Sequence, residues 1–243
     1  MVKIDPKIRL STGIKELDVM LNGGIIKNTV TLVSGPPGSG KTLLCLNFLY
    51  AGAKKGERGL YIALEEELNG IICAANSIGL SKFEKFLKDN KIVVLDIGTM
   101  RSNGEFEEIL SVENILKHIR TLKVASNLNF ERIAIDSISA MNPVYPTEGE
   151  LRKALFYLFS KLRGEKFTII ATTEIDKNIG ITRYNEAYLA DTIIRLRWSP
   201  KLTDKAIYSI SIPKMRYSDK SDREYQYRIT DKGIMISMHA QAW

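Results

Sequence analysis

The sequence predicts an α/β fold with a mostly parallel central sheet flanked by helices and antiparallel strands at its C-terminal end. Three observations predict it. Short β-branched, apolar runs alternate with stretches of helical spacing from about residue 29 to residue 172, the pattern of parallel strands joined by helical crossovers. Residues 35–42 read G-x-x-x-x-G-K-T between one such strand and one such helix. After Asp191 the texture changes to short strands with no helical stretch between them.

Taken in order, Ser11 or Thr12 is placed to cap a short helix that ends by Leu21, before Asn22-Gly23-Gly24. The strand Thr29–Ser34 follows, then the glycine loop, then a helix from Leu43 to Lys54. Gly59–Leu64 is a second strand that runs into Glu65-Glu66-Glu67, with helical pattern to about Ile78 and again from Ser81 to Lys88. Lys91–Leu95 is a third strand. The polar stretch from Asn103 to Glu108 opens onto a long helix, about Val112 to Ala125. Arg132–Asp136 is a fourth strand, and Leu151, Leu155, Leu158 and Leu162 set the buried face of a helix beginning at Glu148. Phe167–Thr172 is a fifth strand. Thr192–Arg197, Ala206–Pro213, Tyr225–Thr230 and Ile234–Ser237 make the C-terminal extension.

Composition narrows the function classes. A hydrophobic content of 44% in 243 residues supports a sizeable core, and no run approaches a membrane-spanning length. The first residues have no apolar leader, so a cytoplasmic protein is expected. Cys45 and Cys73 both read as small buried apolar residues on helices. His118 and His239 have no neighbours at metal-ligand spacing, which argues against a zinc site. A net charge of +7 suits nucleotide or nucleic-acid binding but also occurs on ordinary soluble proteins. The Lys, Glu and Ile bias resembles that of a thermophile.

The chemistry should lie just past the strand ends, because ligands of parallel sheets sit there. Gly35-Pro36-Pro37-Gly38-Ser39-Gly40-Lys41-Thr42 is a phosphate-binding loop. Its glycines let backbone N–H groups turn inward, and the helix N-terminus adds further donors. Lys41 would reach the β- and γ-phosphates of a nucleotide such as ATP, and Thr42 would place its hydroxyl on Mg²⁺. Asp136, ending its strand, would hold the same ion through water. Glu65 and Glu66 are candidates to orient and deprotonate an attacking water, and mutual repulsion would raise the pKa of one of them. Glu67 reads as a first-turn helix acid. Thr172 and Thr173 could sense a γ-phosphate through their hydroxyls, with Glu174 beside them. Lys214-Met215-Arg216 lies too far along the chain to reach its own loop easily; a neighbouring subunit could supply it as an arginine finger.

Together these motifs resemble the KaiC-like group of RecA-superfamily ATPases, single-domain relatives of the circadian clock protein. The resemblance spans about residues 9–236. It rests on Ser11-Thr12-Gly13-Ile14 with Leu17-Asp18, Asn22-Gly23-Gly24-Ile25, the loop, Tyr61-Ile62-Ala63-Leu64-Glu65-Glu66, Ile135-Asp136-Ser137, Ala171-Thr172-Thr173-Glu174, Ala190-Asp191, Lys214-Met215-Arg216 and Thr230-Asp231-Lys232-Gly233. It implies one RecA-like domain over residues 1–243 and a homohexameric ring with ATP between subunits. Ser39, Gly40, Lys41, Thr42 and Leu43 would hold phosphates in cis, and Ser77 would approach the base or ribose. Lys214, Met215, Arg216, Ser218, Thr230 and Asp231 would line the site from the neighbour. Glu65 and Glu66 would be the catalytic carboxylate pair. The clock protein's phosphorylated Ser-Thr pair aligns with Ala187 and Tyr188, and its histidine after the finger with Lys220, so the resemblance does not carry autophosphorylation here.

The expected function is therefore a Mg²⁺-dependent ATPase ring acting as a slow regulatory switch. Two alternatives remain. One is a RadA-like recombinase paralogue: the basic segment 176–184 could bind single-stranded DNA, and Phe48-Leu49-Tyr50-Ala51 fits a short F-x-x-A pattern, although that stretch reads better as helix core. The other is a scaffold that binds ATP for assembly with little turnover.

Overall fold

A computed structural model describes residues 4–102, 107–175, 186–199 and 207–238. Each predicted strand forms. In chain order they are β3 (Val30–Ser34), β4 (Gly59–Ala63), β5 (Ile92–Asp96), β6 (Arg132–Asp136), β7 (Thr168–Thr173), β8 (Thr192–Ser199), β9 (Ile207–Met215), β10 (Tyr225–Thr230) and β11 (Gly233–Ser237). They build one nine-stranded sheet in the order β11-β10-β9-β8-β3-β7-β6-β4-β5. The helices are α1 (Lys15–Met20), α2 (Lys41–Lys54), α3 (Leu68–Ser77), α4 (Phe83–Lys88), α5 (Ile97–Ser102), α6 (Val112–Ser126) and α7 (Glu148–Gly164).

The strands β3, β4, β6 and β7 are buried on both faces, and their alternation divides the core in two. Leu60 and Ile62 of β4, with Ile169 and Ala171 of β7, join the layer that contains α6 and α7. Tyr61, Ala63 and Ile170 point the other way, into the layer that contains α2, α3 and α4. Gly59 leaves room for Leu49 of α2, whose Cδ2 would lie 2.9 Å from an added Cβ.

Four expectations need correction. Ser11 and Thr12 do not cap α1; the Ser11 hydroxyl donates to Asp18 at 2.5 Å and the Thr12 hydroxyl at 2.6 Å, so the helix carboxylate holds the preceding turn instead. The strand from Thr192 pairs in parallel with β3, so it completes the parallel set, and the antiparallel extension begins at β9. Lys214 and Met215 lie within β9, with Arg216 just past it. Cys73 is exposed, whereas Cys45 is buried as expected. Two short features had no sequence signal strong enough to register: helix α5, and a two-stranded sheet of β1 (Arg9–Leu10) with β2 (Ile25–Ile26). Phe48 is fully buried beneath the Arg132 guanidinium, 4.6 Å from its ring, as a core residue should be. Residues 103–106, His239 and the basic segment 176–184 lie outside the described residues. Among the described residues, no helix is long and apolar enough to cross a membrane.

Candidate active site

The carboxyl ends of β3, β4, β6 and β7 converge on a cleft of about 230 Å³. Pro37, Gly38, Lys41 and Thr42 form one side, and Glu65, Glu66, Asp136, Ser137 and Glu174 the other. Glu65 and Glu66 do not follow the strand beside the phosphate loop. β7 and β6 lie between β3 and β4, so the pair instead flanks Asp136, tied to it by the Leu64 amide donating to the Asp136 carbonyl at 2.8 Å.

The three loop glycines answer different needs. A Cβ on Gly35 would fall 2.5 Å from Ser39 Oγ and 3.0 Å from Leu196 Cβ, a packing requirement, whereas one on Gly40 would crowd only the movable Ile229 δ-methyl, at 2.9 Å. Gly40 also ends the loop in the left-handed region at φ 87° and caps α2 without a side-chain acceptor. A Cβ on Gly38, at φ +75°, would meet no atom within 4 Å. The open backbone at Gly38 and the uncapped amides of α2 form a cradle that suits phosphate oxygens. The Lys41 ammonium donates to the carbonyls of Gly35 and Pro36 at 2.8 and 3.1 Å. Burial lowers its pKa, against the opposing pull of Asp136, Glu174 and Glu65. Leu43 packs its side chain on the core, and its carbonyl accepts from Asn47 at 2.8 Å.

Asp136 is the polar hub. Its Oδ2 accepts from the Thr42 hydroxyl at 2.7 Å and from the Tyr61 hydroxyl at 2.6 Å, while Oδ1 accepts from Thr172. The direct Thr42–Asp136 contact brings the two expected magnesium-holding residues together. The donor set also fits the ion: a hydroxyl and a carboxylate, both hard oxygen donors, meet at the cleft. Magnesium in phosphate sites takes one or two protein oxygens and completes its shell with phosphate and water. Burial, followed by the field of Asp136, raises the pKa of Tyr61 well above normal and keeps it a donor. Glu66 is likewise pushed up by burial and then by Asp136, which replaces the expected repulsion from Glu65 as the cause.

Thr172 and Thr173 at the end of β7 do not line the cleft. Both are fully buried; Thr172 serves Asp136, and the Thr173 hydroxyl donates to Glu186 at 3.0 Å. Glu174, one residue on, reaches the cleft. Ser77 ends α3, and a Cβ on neighbouring Gly79 would lie 2.8 Å from the Asp231 carbonyl. The Thr230–Asp231 turn thus packs against the turn that follows α3 in its own chain. Ser218 accepts from Arg9 at 2.7 Å. Lys214 donates to the Ala187 carbonyl at 2.8 Å, and Arg216 lies 3.5 Å from the buried carboxylate of Asp191. Met215 packs on the core layer. Sequence reasoning missed Tyr61, Tyr227 and Glu186 as site-related. Tyr61 and Tyr227 read simply as aromatic strand residues, yet the buried Tyr227 hydroxyl reaches across from β10 to the Ser39 carbonyl at 2.6 Å.

A parallel sheet covered on both faces, with a phosphate loop and acidic groups gathered at its carboxyl edge, puts the chain in the RecA-like class of phosphate-loop proteins. The family described as "ATPase: KaiC" matches residues 10–241, and the chain belongs to that family. It is 32% identical over 232 residues to the circadian clock oscillator protein KaiC of Parathermosynechococcus lividus, covering 93% of this chain but 41% of that one. The chain thus spans about two fifths of the clock protein. A "UPF0273 protein" of Thermotoga maritima is 30% identical over 237 residues, covering 94% of this chain and 95% of its own. The crystal structure of a KaiC-like protein from Pyrococcus horikoshii OT3 superposes with a TM-score of 0.80 at 30% identity, over 95% of this chain and 99% of that one.

Proposed function

We propose that the chain is a Mg²⁺-dependent ATPase of the cytoplasm whose single RecA-like domain assembles into a homohexameric ring, with each active site shared between subunits, and that slow turnover serves a regulatory switch. The observation that carries it is the Thr42–Asp136 hydrogen bond of 2.7 Å at the floor of a cleft rimmed by Lys41 and by Glu65 and Glu66. Thr42, with Asp136 behind it, would hold the ion, which neutralises charge on the phosphates. The loop amides and Lys41 bind the β- and γ-phosphates. The raised proton affinity of Glu66 moves it toward a base's working range. Glu66 takes a proton from water as the water oxygen bonds to the γ-phosphorus and the bridging bond to ADP breaks. Glu65, which attracts Lys41, helps hold the lysine toward the phosphates. Ser77 takes the base or ribose side, and Thr230 and Asp231 line the neighbour's site. Lys214 and Arg216, with Met215 and Ser218 beside them, serve the neighbour's γ-phosphate.

Subunit mixing tests the shared site. Lys41→Ala should abolish turnover, and Arg216→Ala should leave only a small residual rate. Mixed rings should regain part of it, because some interfaces pair an intact loop with an intact finger. Glu66→Gln should bind ATP and fail to cleave it. Full activity in Arg216→Ala, or no recovery on mixing, sinks the shared site; full activity in Glu66→Gln sinks its assignment as base.

A further inference from the structure

The finger residues are tied to a short 3-10 turn, Glu186–Tyr188, and that turn is tied to the nucleotide cleft of the same chain. Lys214 Nζ donates to the carbonyls of Ala187 and Tyr188 at 2.8 and 3.4 Å, and Arg216 to that of Tyr188 at 3.4 Å. Glu186 begins the turn and is buried to 1% exposure, with its Oε1 accepting from Thr173 at 3.0 Å. Thr173 ends β7, whose preceding residue holds Asp136, and its own carbonyl accepts from the Gly35 amide at 3.3 Å. A fully buried threonine and a nearly fully buried glutamate therefore join the phosphate loop and Asp136 to the carbonyls that hold the finger. Close-packed interiors shift between discrete arrangements and do not absorb such displacements smoothly.

We propose that Glu186 is a positioning residue that couples a subunit's own nucleotide site to its Lys214 and Arg216, and through them to the site of its neighbour. The proposal rests on the shared-site reading above. When a nucleotide and its ion draw Thr42 and Asp136 toward the phosphates, Thr172 and the tip of β7 follow. Glu186 carries that shift to the turn, and the turn sets where the two cations point. Asp191 anchors the other side: its carboxylate accepts from the Val30 amide at 3.0 Å, and its carbonyl accepts from the Arg216 amide at 2.8 Å. That carboxylate also lies 3.5 Å from the Arg216 guanidinium, so the finger is held on one side by Asp191 and on the other by the turn carbonyls, which set where Lys214 points and share in aiming Arg216.

The test is single-turnover ATP cleavage by the assembled protein, with ATP affinity measured separately by fluorescent-nucleotide titration. Glu186→Ala should lower the cleavage rate about tenfold, within the usual range of coupling between sites. It should leave ATP affinity within about threefold of wild type. Glu186→Met, which keeps the buried volume while removing the acceptor, should behave alike and guards against simple loss of packing. On the residual rate of Arg216→Ala, Glu186→Ala should have no further effect, since both act through one device. A wild-type rate in both Glu186 variants beside a strongly slowed Arg216→Ala overturns the coupling alone, as does a loss that multiplies in the double variant. A wild-type rate in Arg216→Ala overturns the shared site, and the coupling with it.

Discussion

Gly98, the second residue of α5, packs directly against the backbone that carries the two candidate catalytic glutamates. A Cβ added there would lie 2.9 Å from the Glu65 carbonyl oxygen and 3.0 Å from that of Glu66. Moving that oxygen out to the 3.4 Å of ordinary contact requires the turn to recede by about half an ångström. The ends of the turn are held, so the shift concentrates at the glutamates: the Leu64 amide is bound to Asp136, and the Leu68 amide donates to Asp96 Oδ2 at 2.9 Å. A misplacement of 1 Å costs catalysis about a hundredfold, so half of it should cost roughly tenfold. Gly98→Ala should therefore cut the ATP cleavage rate about tenfold while ATP affinity, set by the loop and Lys41, stays within about twofold. Helix propensity runs the other way, favouring alanine over glycine by up to about 1 kcal/mol, so lost helix stability cannot produce the effect. Single-turnover cleavage and nucleotide titration on protein with an unchanged melting temperature decide it. A rate within twofold of wild type would refute the idea that the packing at Gly98 sets the position of the carboxylates.

Three further outcomes follow from the electrostatics and packing around the site and core. Glu66 binds its proton more tightly in the folded chain than in the unfolded one, so ionising it costs stability. That cost is absent at pH below the ordinary carboxylate range and complete above the raised value. Glu66→Gln should accordingly raise Tm at pH 7, with the gain fading as pH falls toward 4.5; a gain that does not change with pH would disprove it. Tyr227→Phe removes the donor to the Ser39 carbonyl, a contact worth about 0.5–1.5 kcal/mol, and should weaken ATP binding about threefold to tenfold; an unchanged Kd would show that the tyrosine does not brace the loop. Gly52→Ala would put a Cβ 2.5 Å from Arg132 Nε, and that guanidinium is pinned by Glu57 and by the carbonyls of Ser11 and Phe48 at 2.7 and 2.8 Å. Urea unfolding should show a loss of about 3 kcal/mol, the scale of a broken buried ion pair, and a loss under 1 kcal/mol would mean that Arg132 can move aside.

Local patterns were legible where one stretch of chain decides the outcome. The β3–loop–α2 unit, the strand ending at Asp136 and the helix facing inward through Leu151, Leu155, Leu158 and Leu162 all depend on residues close in sequence. Strand order does not. Nothing in Gly59–Ala63 says that β7 and β6 intervene between it and the phosphate loop, because all these strands carry the same apolar, β-branched signature. Hydroxyl partners were equally hidden. Ser11 and Thr12 are good cap residues by type, and the same lone pairs and protons serve as well to bind Asp18, a choice made by the closing of the β1–β2 turn. Tyr61 and Tyr227 supply aromatic bulk to a strand by any local measure; only tertiary packing aims their hydroxyls at Asp136 and Ser39.

The antiparallel extension is therefore part of the site on both of its edges. β9 carries Lys214 at its end, where the turn at 187 and 188 holds it, and Arg216 follows directly beside Asp191. β10 lies one strand further out, yet Tyr227 and Ile229 reach back over α2 to touch the loop at Ser39 and Gly40. The register between β9 and β10, with Tyr225 opposite Ile210 and Tyr227 opposite Tyr208, fixes one set of contacts relative to the other. A slip of one residue in that pairing would turn Tyr227 to the opposite face and withdraw its hydroxyl from the loop. It would also displace the strand that carries the two cations. The strands beyond β8 thus add no catalytic group to the chain's own cleft, but they hold its phosphate loop in shape and, in the shared-site reading, present the finger to the next subunit. In that reading, one set of cross-strand pairings governs both the binding half of one site and the catalytic half of another.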